Sequence, residues 1–213
     1  MRKSRIKRIV AQLMAVALLC TQIPQMNKEV YADTIEKRMD AVESIVLGGA
    51  HSAAVTKNGD LYCWGSNICG QIGNGTTINQ LTPTKIMNNV KKFFSENGQS
   101  AAITNGGDLY CWGYNAYGQI GNGTKNNQLK PVKILNNVKD VFLQYERSAA
   151  VTNGGDLYCW GYNYGTIGNG TTTNQLAPVK VLENVESVFL GKYHSAAVTK
   201  NGDLYCWGEN SYG

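Results

Sequence analysis

The chain has 213 residues, of which 43% are hydrophobic and four are proline. This composition excludes a disordered protein and predicts a folded one of one or two domains. The formal net charge is +5, but residues 1–32 hold six of the 20 basic residues and one of the 15 acidic residues. The 14 basic and 14 acidic residues that follow cancel. Nucleic acid, which binds to basic surfaces, is therefore not an expected partner of the folded part.

Residues 1–32 have the pattern of a secretory signal peptide. The charged start "MRKSRIKR" is followed by the apolar run "IVAQLMAVALLC" and by "VYA" at positions 30–32, a small-residue spacing that precedes cleavage by signal peptidase. The apolar run is shorter than the roughly 20 residues that cross a bilayer, so no membrane span is expected. A lipoprotein signal at Cys20 is the weaker alternative, because Leu19 stands where such signals have a small residue. The pattern predicts a secreted protein cleaved near Ala32, with a linker over residues 33–41.

The remainder of the chain is a tandem repeat. Four tryptophans, separated by 48, 48 and 47 residues, mark one position of the repeat: Trp64, Trp112, Trp160 and Trp207. The units run over residues 42–89, 90–137 and 138–184, with a partial unit over 185–213. The one-residue deletion falls where "YNYGTIGNG" replaces "YNAYGQIGNG", which indicates a loop.

Each unit is predicted to form about four short strands. A β-rich run such as "DVFLQY" is followed by "SAAVT", by a turn of the "KNGD" or "NGGD" type, by the strand "LYCWG" and by a strand that begins at a proline, such as "PVKIL". In "LYCWG", Leu61 and Cys63 face one way while Tyr62 and Trp64 face the other. Because both faces are largely apolar, each sheet must be covered on both sides. The pattern predicts an all-β fold, a β-propeller with about 3.5 blades, in which Ala53, Ala54 and their equivalents let the inner strands approach the axis.

The segment "HSAAVTKNGDLYCWGSNICGQIGNGT" resembles the repeat of the regulator of chromosome condensation family, which has a small-residue strand, a glycine turn, Trp-Gly, Asn and then Gly-Gln-Leu/Ile-Gly. The resemblance covers residues 42–213. It implies a propeller that usually has seven blades, so the chain is expected to be a fragment of such a propeller.

The family has several functions, and fold alone does not decide between them. The resemblance implies nucleotide exchange on a small nuclear GTPase with docking on chromatin in the founding member, and photoreception, ubiquitin ligation, or inhibition of β-lactamase by a secreted bacterial protein in other members. The export signal and the neutral repeat region favour the secreted branch. We therefore expect a secreted protein-binding or scaffold module. The alternatives are a regulator that acts like a guanine-nucleotide exchange factor, and an extracellular carbohydrate-binding module or enzyme.

No catalytic group is expected. The repeat contains no nucleophile–base pair and no carboxylate pair confined to one unit, so the chain is predicted not to be an enzyme and to use no cofactor. Tyrosines that follow the Trp-Gly step are the candidate binding residues, because exposed tyrosines anchor protein partners: Tyr114, Tyr117, Tyr162, Tyr164 and Tyr212. Strands at the open ends of the array have unpaired edges, which predicts self-association.

Cysteines, histidines and aspartates of the repeat are expected to be structural. Equivalent cysteines in neighbouring sheets should lie about 10 Å apart, too far for a disulfide, which needs Cα atoms within about 7 Å. We expect them to be buried: Cys63, Cys111, Cys159 and Cys206. Cys69 is expected to be an unpaired surface thiol whose place Ala116 takes in the next unit.

One repeat position holds His51, Gln99, Arg147 and His194, and is expected to lie on the rim without a metal. The aspartates after the turn glycines are expected to bond the hairpin backbone: Asp60, Asp108, Asp156 and Asp203.

Overall fold

A computed structural model of the chain describes residues 42–211, which form 15 strands and contain no helix. The signal peptide and the linker predicted over residues 1–41 lie outside the described residues. The first sheet contains β1 (Val42–Leu47), β2 (His51–Thr56), β3 (Leu61–Gly65) and β4 (Gln80–Met87). The second contains β5 (Val90–Glu96), β6 (Gln99–Thr104), β7 (Leu109–Gly113) and β8 (Gln128–Leu135). The third contains β9 (Val138–Gln144), β10 (Arg147–Thr152), β11 (Leu157–Gly161) and β12 (Gln175–Leu182), and the fourth contains β13 (Val185–Leu190), β14 (His194–Thr199) and β15 (Leu204–Gly208).

Every sheet is an antiparallel meander in which strands follow one another in chain order. The second and third strands pair in the same register in all four sheets, for example Ala53 with Cys63 and Ala149 with Cys159. Three sheets have four strands and the fourth has three. The predicted all-β propeller of about 3.5 blades is confirmed.

The first strand of each sheet lies innermost. β5 contacts β9, β9 contacts β13, and β1 contacts β5, while β4, β8 and β12 form the outer edges. The alanine pairs lie on the second strands, which contact the first strand of the next sheet, as β2 contacts β5 and β6 contacts β9. Ala101 and Ala102 are fully buried because the second strand is covered by a neighbouring sheet on each face.

Each sheet packs its two faces against different neighbours. Leu109 and Cys111 of the second sheet share a core with Val141 and Trp160 of the third, which confirms the predicted alternation along "LYCWG". Cys63, Cys111 and Cys159 are buried free thiols, as expected. Cys206 is exposed, contrary to the expectation, because no sheet covers the far face of the fourth sheet within residues 42–211.

In each of the first three repeat units, one backbone carbonyl of the loop after the third strand accepts a hydrogen bond from the tryptophan of the next sheet. Trp160 Nε1 donates to Gln119 O at 2.7 Å, and Ser148 Oγ donates to the same oxygen at 2.9 Å. Trp112 binds Gln71 O, and Trp207 binds Thr166 O, both at 2.9 Å. We call each such carbonyl, with the glycine two residues later, a tryptophan socket.

The glycine of the socket leaves room for the indole. Gly121 has a φ of +85°, and a Cβ there would lie 2.7 Å from Trp160 Nε1. Gly73 and Gly168 stand in the same relation to Trp112 and Trp207. The tryptophan and the glycines recur together because the indoles of the second, third and fourth sheets each need a glycine, which has no Cβ, in the loop of the preceding repeat unit.

The position that holds His51, Gln99 and Arg147 is buried between sheets, so the expected place on the rim is wrong. Their exposed fractions are 2%, 1% and 3%. His51 Nε2 lies 2.8 Å from Ser100 Oγ, and because that hydroxyl donates to Gln71 O, His51 must be the donor. Gln99 donates to Ser148 Oγ at 2.7 Å. Each side chain thereby connects its sheet to the following one.

The guanidinium of Arg147 continues this series. Its nitrogens donate to the carbonyls of Thr166, Gly191 and His194. His194, the fourth member, is exposed, because within the described residues no further sheet lies beyond it.

The aspartate side chains do not bond the hairpin backbone. A carboxylate oxygen of Asp60 lies 2.8 Å from Lys85 Nζ, and the same pair joins Asp108 to Lys133 at 2.8 Å. The threonine four residues earlier makes the expected side-chain bond instead, since Asp60 N donates to Thr56 Oγ1 at 3.1 Å. Asp60, Asp108 and Asp156 therefore connect the hairpin to the outer strand.

Candidate binding surface

Two sets of loops lie together at the Trp-Gly end of the sheets. Ser66 N donates to Ala50 O, Tyr114 N to Gly98 O and Tyr162 N to Glu146 O, at 2.8 to 2.9 Å. Each bond joins the long loop after the third strand to the hairpin between the first and second strands. We call this surface the loop face, and it consists of residues 48–50, 66–79, 96–98, 114–127, 145–146, 162–174 and 191–193.

A buried asparagine fixes the conformation of each long loop. Asn115 is fully buried, its Nδ2 donates to the carbonyls of Thr124 and Asn126, and its Oδ1 accepts from Ile120 N. Asn67 and Asn163 make equivalent bonds. The sequence interpretation assigned no role to these residues, although an asparagine two residues after Trp-Gly was a visible signal. The loops are held by fixed internal bonds.

Three of the predicted tyrosines form one cluster on the loop face. The ring centroids of Tyr114 and Tyr117 lie 6.5 Å apart, and those of Tyr117 and Tyr162 lie 5.3 Å apart, both edge to face. Tyr117 belongs to the long loop of the second sheet, and Tyr162 follows the third strand of the third sheet. This tyrosine cluster (Tyr114, Tyr117, Tyr162) therefore crosses the boundary between two blades.

The other two predicted tyrosines are separate from the cluster. Tyr164 lies on the loop face with 61% of its surface exposed, and Tyr212 lies outside the described residues.

Cys69 is half-buried near Tyr114, since both lie within about 4 Å of the Cβ position of Gly98. Its amide binds Gln71 Oε1 as that of Tyr117 binds Gln119 Oε1. Tyr117, and not Ala116, is thus the residue equivalent to Cys69.

A second aromatic group, which the sequence interpretation missed, lies on the hairpins of the third and fourth sheets. Lys192 Nζ is 5.5 Å from the ring centroid of Tyr145 and 4.9 Å from that of Tyr193, within cation–π range. Tyr145 and Tyr193 are 40% and 44% exposed. The available signal was the difference between "LQYER" and "LGKYH" in otherwise repeated sequence. We call these residues the lysine–tyrosine group.

Tyr145 keeps an unfavourable backbone conformation. Its φ is +51°, in the left-handed region that costs most residues about 1 kcal/mol or more. The equivalent residue of the second sheet is Asn97, with a φ of +39°, and asparagine tolerates this region. Folding alone would therefore favour asparagine or glycine at this position.

The loop face is nearly neutral. It contains two acids and two bases: Glu96, Glu146, Lys125 and Lys192. Burial, together with Tyr117 and Glu146, raises the pKa of Tyr114, and burial raises the pKa of the Cys69 thiol, so neither group is a ready nucleophile at neutral pH.

Within residues 42–211, no three His, Cys, Asp or Glu side chains are grouped so that they could hold a metal ion. The same stretch has no helix of the length and apolarity that a membrane span requires.

Solved structures share the fold over most of the described residues. Human WBSCR16 is 25% identical, with a TM-score of 0.66 over 79% of this chain and 48% of that chain. Prp20p of Saccharomyces cerevisiae, described with its binding properties to Gsp1p and histones, is 22% identical, with a TM-score of 0.65 over 78% of this chain and 45% of that chain. The chain thus spans about half the length of these proteins.

Sequence comparison gives the family. Human E3 ubiquitin-protein ligase HERC2 is 48% identical over 42 residues, which are 20% of this chain and 1% of HERC2. A family model for the regulator of chromosome condensation (RCC1) repeat matches residues 58–100, 106–147 and 154–198, and a second model with the same description matches residues 42–71 and 185–213. Together these matches cover well over half of the chain, which therefore belongs to the regulator of chromosome condensation (RCC1) repeat family.

Proposed function

We propose that the chain is a secreted RCC1-repeat module that binds a protein partner through the tyrosine cluster and the lysine–tyrosine group of the loop face. The observation that carries the proposal is the convergence of aromatic side chains from two blades onto loops whose backbones are fixed. A rigid loop loses little conformational entropy when a partner binds. The aromatic rings supply contact area.

The composition of the loop face supports a protein partner. Its residues are mainly Tyr, Asn, Thr and Gly, close to the Tyr, Ser, Gly and Asn that dominate antibody binding loops. The framework residues, such as Trp112 and Asn115, are repeated in every complete unit, while the residues around Tyr145 differ from unit to unit. A constant scaffold with variable loops is how binding surfaces are presented.

Site-directed photo-crosslinking tests the proposal. A photoreactive phenylalanine analogue replaces Tyr164 on the loop face, and in a second protein it replaces Asn58, which is exposed in the hairpin at the other end of the first sheet. Each protein is added to the medium and surfaces of the producing culture. We expect a discrete protein adduct at Tyr164 and none at Asn58.

Variants of the tyrosines establish which side chains bind. In the protein with the analogue at position 164, Tyr117→Ser should abolish the adduct, because it removes the central ring of the tyrosine cluster. Tyr205→Ser is the matched control, since Tyr205 is 46% exposed but lies on β15 away from the loops. Equal adduct formation by the two variants, or by the analogue at positions 164 and 58, would contradict the proposal.

Secretion is supported by the residue pattern of positions 1–32. Expression of the full chain should release into the medium a protein whose first residue is Asp33. An uncleaved protein that stays in the cells would refute this part of the proposal.

Nucleotide exchange on a GTPase is the second candidate, favoured by membership of the RCC1 repeat family. The likeness to Prp20p supports the shared fold alone at 22% identity. The test is release of fluorescent GDP from Gsp1p in the presence of the chain. If the chain is a protein-binding module, the rate of GDP release stays at its intrinsic value. A faster, catalysed release would contradict this proposal and support nucleotide exchange.

We also propose that the chain self-associates through its end sheets. Leu81 of the first sheet is 88% exposed and Leu204 of the fourth is 66% exposed, while the equivalents of Leu204 inside the array are fully buried. Light scattering of the purified chain should give a mass above that of one chain. A single monomeric species that melts cooperatively would count against this.

A further inference from the structure

Asparagine is followed by glycine at eight places in the chain, all of them outside the strands. In such a pair the glycine amide nitrogen can attack the side-chain carbonyl carbon of the asparagine, because glycine has no side chain to obstruct the approach. What holds the two groups in the folded chain therefore decides which pair reacts. The asparagines are Asn58, Asn74, Asn97, Asn105, Asn122, Asn153, Asn169 and Asn201.

The attack requires a free glycine amide and a free asparagine side chain. A glycine N–H that donates a hydrogen bond keeps its nitrogen on the acceptor, and a bonded asparagine side chain must first break its own bonds. Because one hydrogen bond contributes about 1 kcal/mol net, each such bond lowers the reactive fraction of the pair about fivefold. The fold can therefore rank eight pairs that share one local sequence.

Seven of the pairs are protected by such bonds. Asn105 Nδ2 donates to Asn89 Oδ1 at 2.9 Å, and Asn153 makes the equivalent bond at 2.7 Å. Asn169 Oδ1 accepts from both N and Oγ1 of Thr171. In the other four pairs the glycine amide donates to a backbone carbonyl at 2.8 or 2.9 Å: Gly59, Gly75, Gly123 and Gly202.

The pair Asn97–Gly98 has neither form of protection. Among residues 42–211, the Asn97 side chain and the Gly98 amide have no hydrogen-bond partner, and Asn97 is exposed. The pair forms the two-residue turn between β5 and β6, with φ values of +39° and +81°. A hairpin turn with two positive φ angles favours Asn-Gly. The dipeptide that suits this turn is therefore also the reactive one.

We propose that Asn97 is a site of spontaneous deamidation in the folded chain. The Gly98 amide loses its proton to water, its nitrogen bonds to Asn97 Cγ, and Nδ2 leaves with a proton as ammonia. Water then opens the five-membered succinimide. Cleavage between the nitrogen and Cγ gives aspartate, and cleavage between the nitrogen and the backbone carbonyl carbon of Asn97 gives isoaspartate. The net reaction consumes one water, releases ammonium and converts an amide into a carboxylate, without oxidation or reduction.

The product changes the charge of the loop face. This surface contains two acids and two bases, so a carboxylate at position 97 leaves it with an excess of acids. The turn also lies against the tyrosine cluster, since the Cβ position of Gly98 is 3.7 Å from Tyr114 Cβ. The loop face therefore changes from neutral to acidic as the chain ages. This inference does not depend on the proposed binding of a partner.

Peptide mapping of the folded full chain tests the proposal. The chain is kept for days in a mildly alkaline buffer, because the glycine amide must lose a proton, and is then digested with trypsin. Mass spectrometry with fragmentation that distinguishes isoaspartate from aspartate follows each pair. One tryptic peptide, residues 93–125, contains Asn97, Asn105 and Asn122, so these three are compared within one molecule. We expect Asn97 to convert at least about fivefold faster than any other of the eight asparagines.

Two controls separate the fold from the local sequence. In the chain unfolded by urea, all eight pairs should convert at similar rates, because the protecting bonds are gone. In the folded chain, Asn97→Gln should remove the acidic form that ion exchange resolves after storage, since glutamine would have to close a less favourable six-membered ring. Asn58→Gln should leave that form in place. Asn58 is the matched position because it is equally exposed, whereas the amide of Gly59 donates to Thr56 O.

Three results would overturn the proposal. The first is conversion of Asn97 in the folded chain that is no faster than conversion of Asn58. The second is a preference for Asn97 that keeps its size in urea, since it would assign the reaction to the neighbouring sequence and not to the fold. The third is an acidic form that persists in the Asn97→Gln variant.

Discussion

Replacement of a socket glycine by alanine tests how much the tryptophan socket stabilises the packing of neighbouring blades. Gly121 and Gly123 lie in the same loop with φ values of +85° and +82°. A Cβ at Gly121 would lie 2.7 Å from Nε1 and 2.9 Å from Cδ1 of Trp160, whereas a Cβ at Gly123 meets no atom within 4 Å. The two alanine variants therefore share the same backbone strain, and they differ in the contact of the added Cβ with the indole and, at 3.2 Å, with Ile134 Cγ2.

The difference in stability can be estimated from these distances. Left-handed alanine costs each variant about 1 kcal/mol. Gly121→Ala must also displace Trp160, a fully buried side chain, and overpacking of this kind costs about 1–3 kcal/mol. The shifted indole weakens its 2.7 Å bond to Gln119 O, which adds about 1 kcal/mol. We expect Gly121→Ala to lower the free energy of unfolding by about 2–4 kcal/mol more than Gly123→Ala.

Urea denaturation followed by tryptophan fluorescence measures the two free energies of unfolding. The analysis requires equal m-values, so that the change in midpoint reports stability. If the two variants lose the same stability within about 0.5 kcal/mol, the socket does not hold the blades together and the account of the repeat is wrong.

Three further outcomes are expected. Burial lowers the pKa of His51 to about 4, so the folded chain should lose up to about 3 kcal/mol as the pH falls from 6.5 to 4, and His51→Gln should remove this loss in acid titrations monitored by circular dichroism. Asn115→Ala should destabilise the chain by about 2–4 kcal/mol because it leaves buried loop groups unpaired, while Asn126→Ala, at an exposed position, should change the urea midpoint little. Tyr145→Asn should raise the melting temperature, because asparagine tolerates the left-handed backbone, and should weaken crosslinking of the partner at position 164; a lower melting temperature would show that the conformation is not strained.

The sequence was sufficient for the fold because every local signal is repeated. The "LYCWG" strand, the glycine turns and the proline-led strand occur in three complete copies, and an isolated sheet with two apolar faces has to be stacked. The tyrosines after Trp-Gly were also predictable as candidates, and three of them meet in space.

The remaining features depend on contacts between units. The variability of His51, Gln99 and Arg147 indicates a surface position, yet each is buried because it bonds the next sheet with its own chemistry. Cys206 has the same local sequence as Cys111 but is exposed, since burial is decided by a neighbour and not by the strand itself. The lysine–tyrosine group forms between two hairpins that are 47 residues apart, a distance that no local pattern spans.

The central claim is that a tryptophan is buried by the neighbouring blades and not by its own sheet. The chain labelled with 5-fluorotryptophan gives one fluorine resonance for each indole, assigned by single Trp→Phe variants, and acrylamide quenching or the solvent isotope shift reports its exposure. Trp112 and Trp160 should be shielded, while Trp64 and Trp207, which are only partly buried, should respond to solvent. Equal exposure of Trp64 and Trp112, which share the strand "LYCWG", would contradict the account.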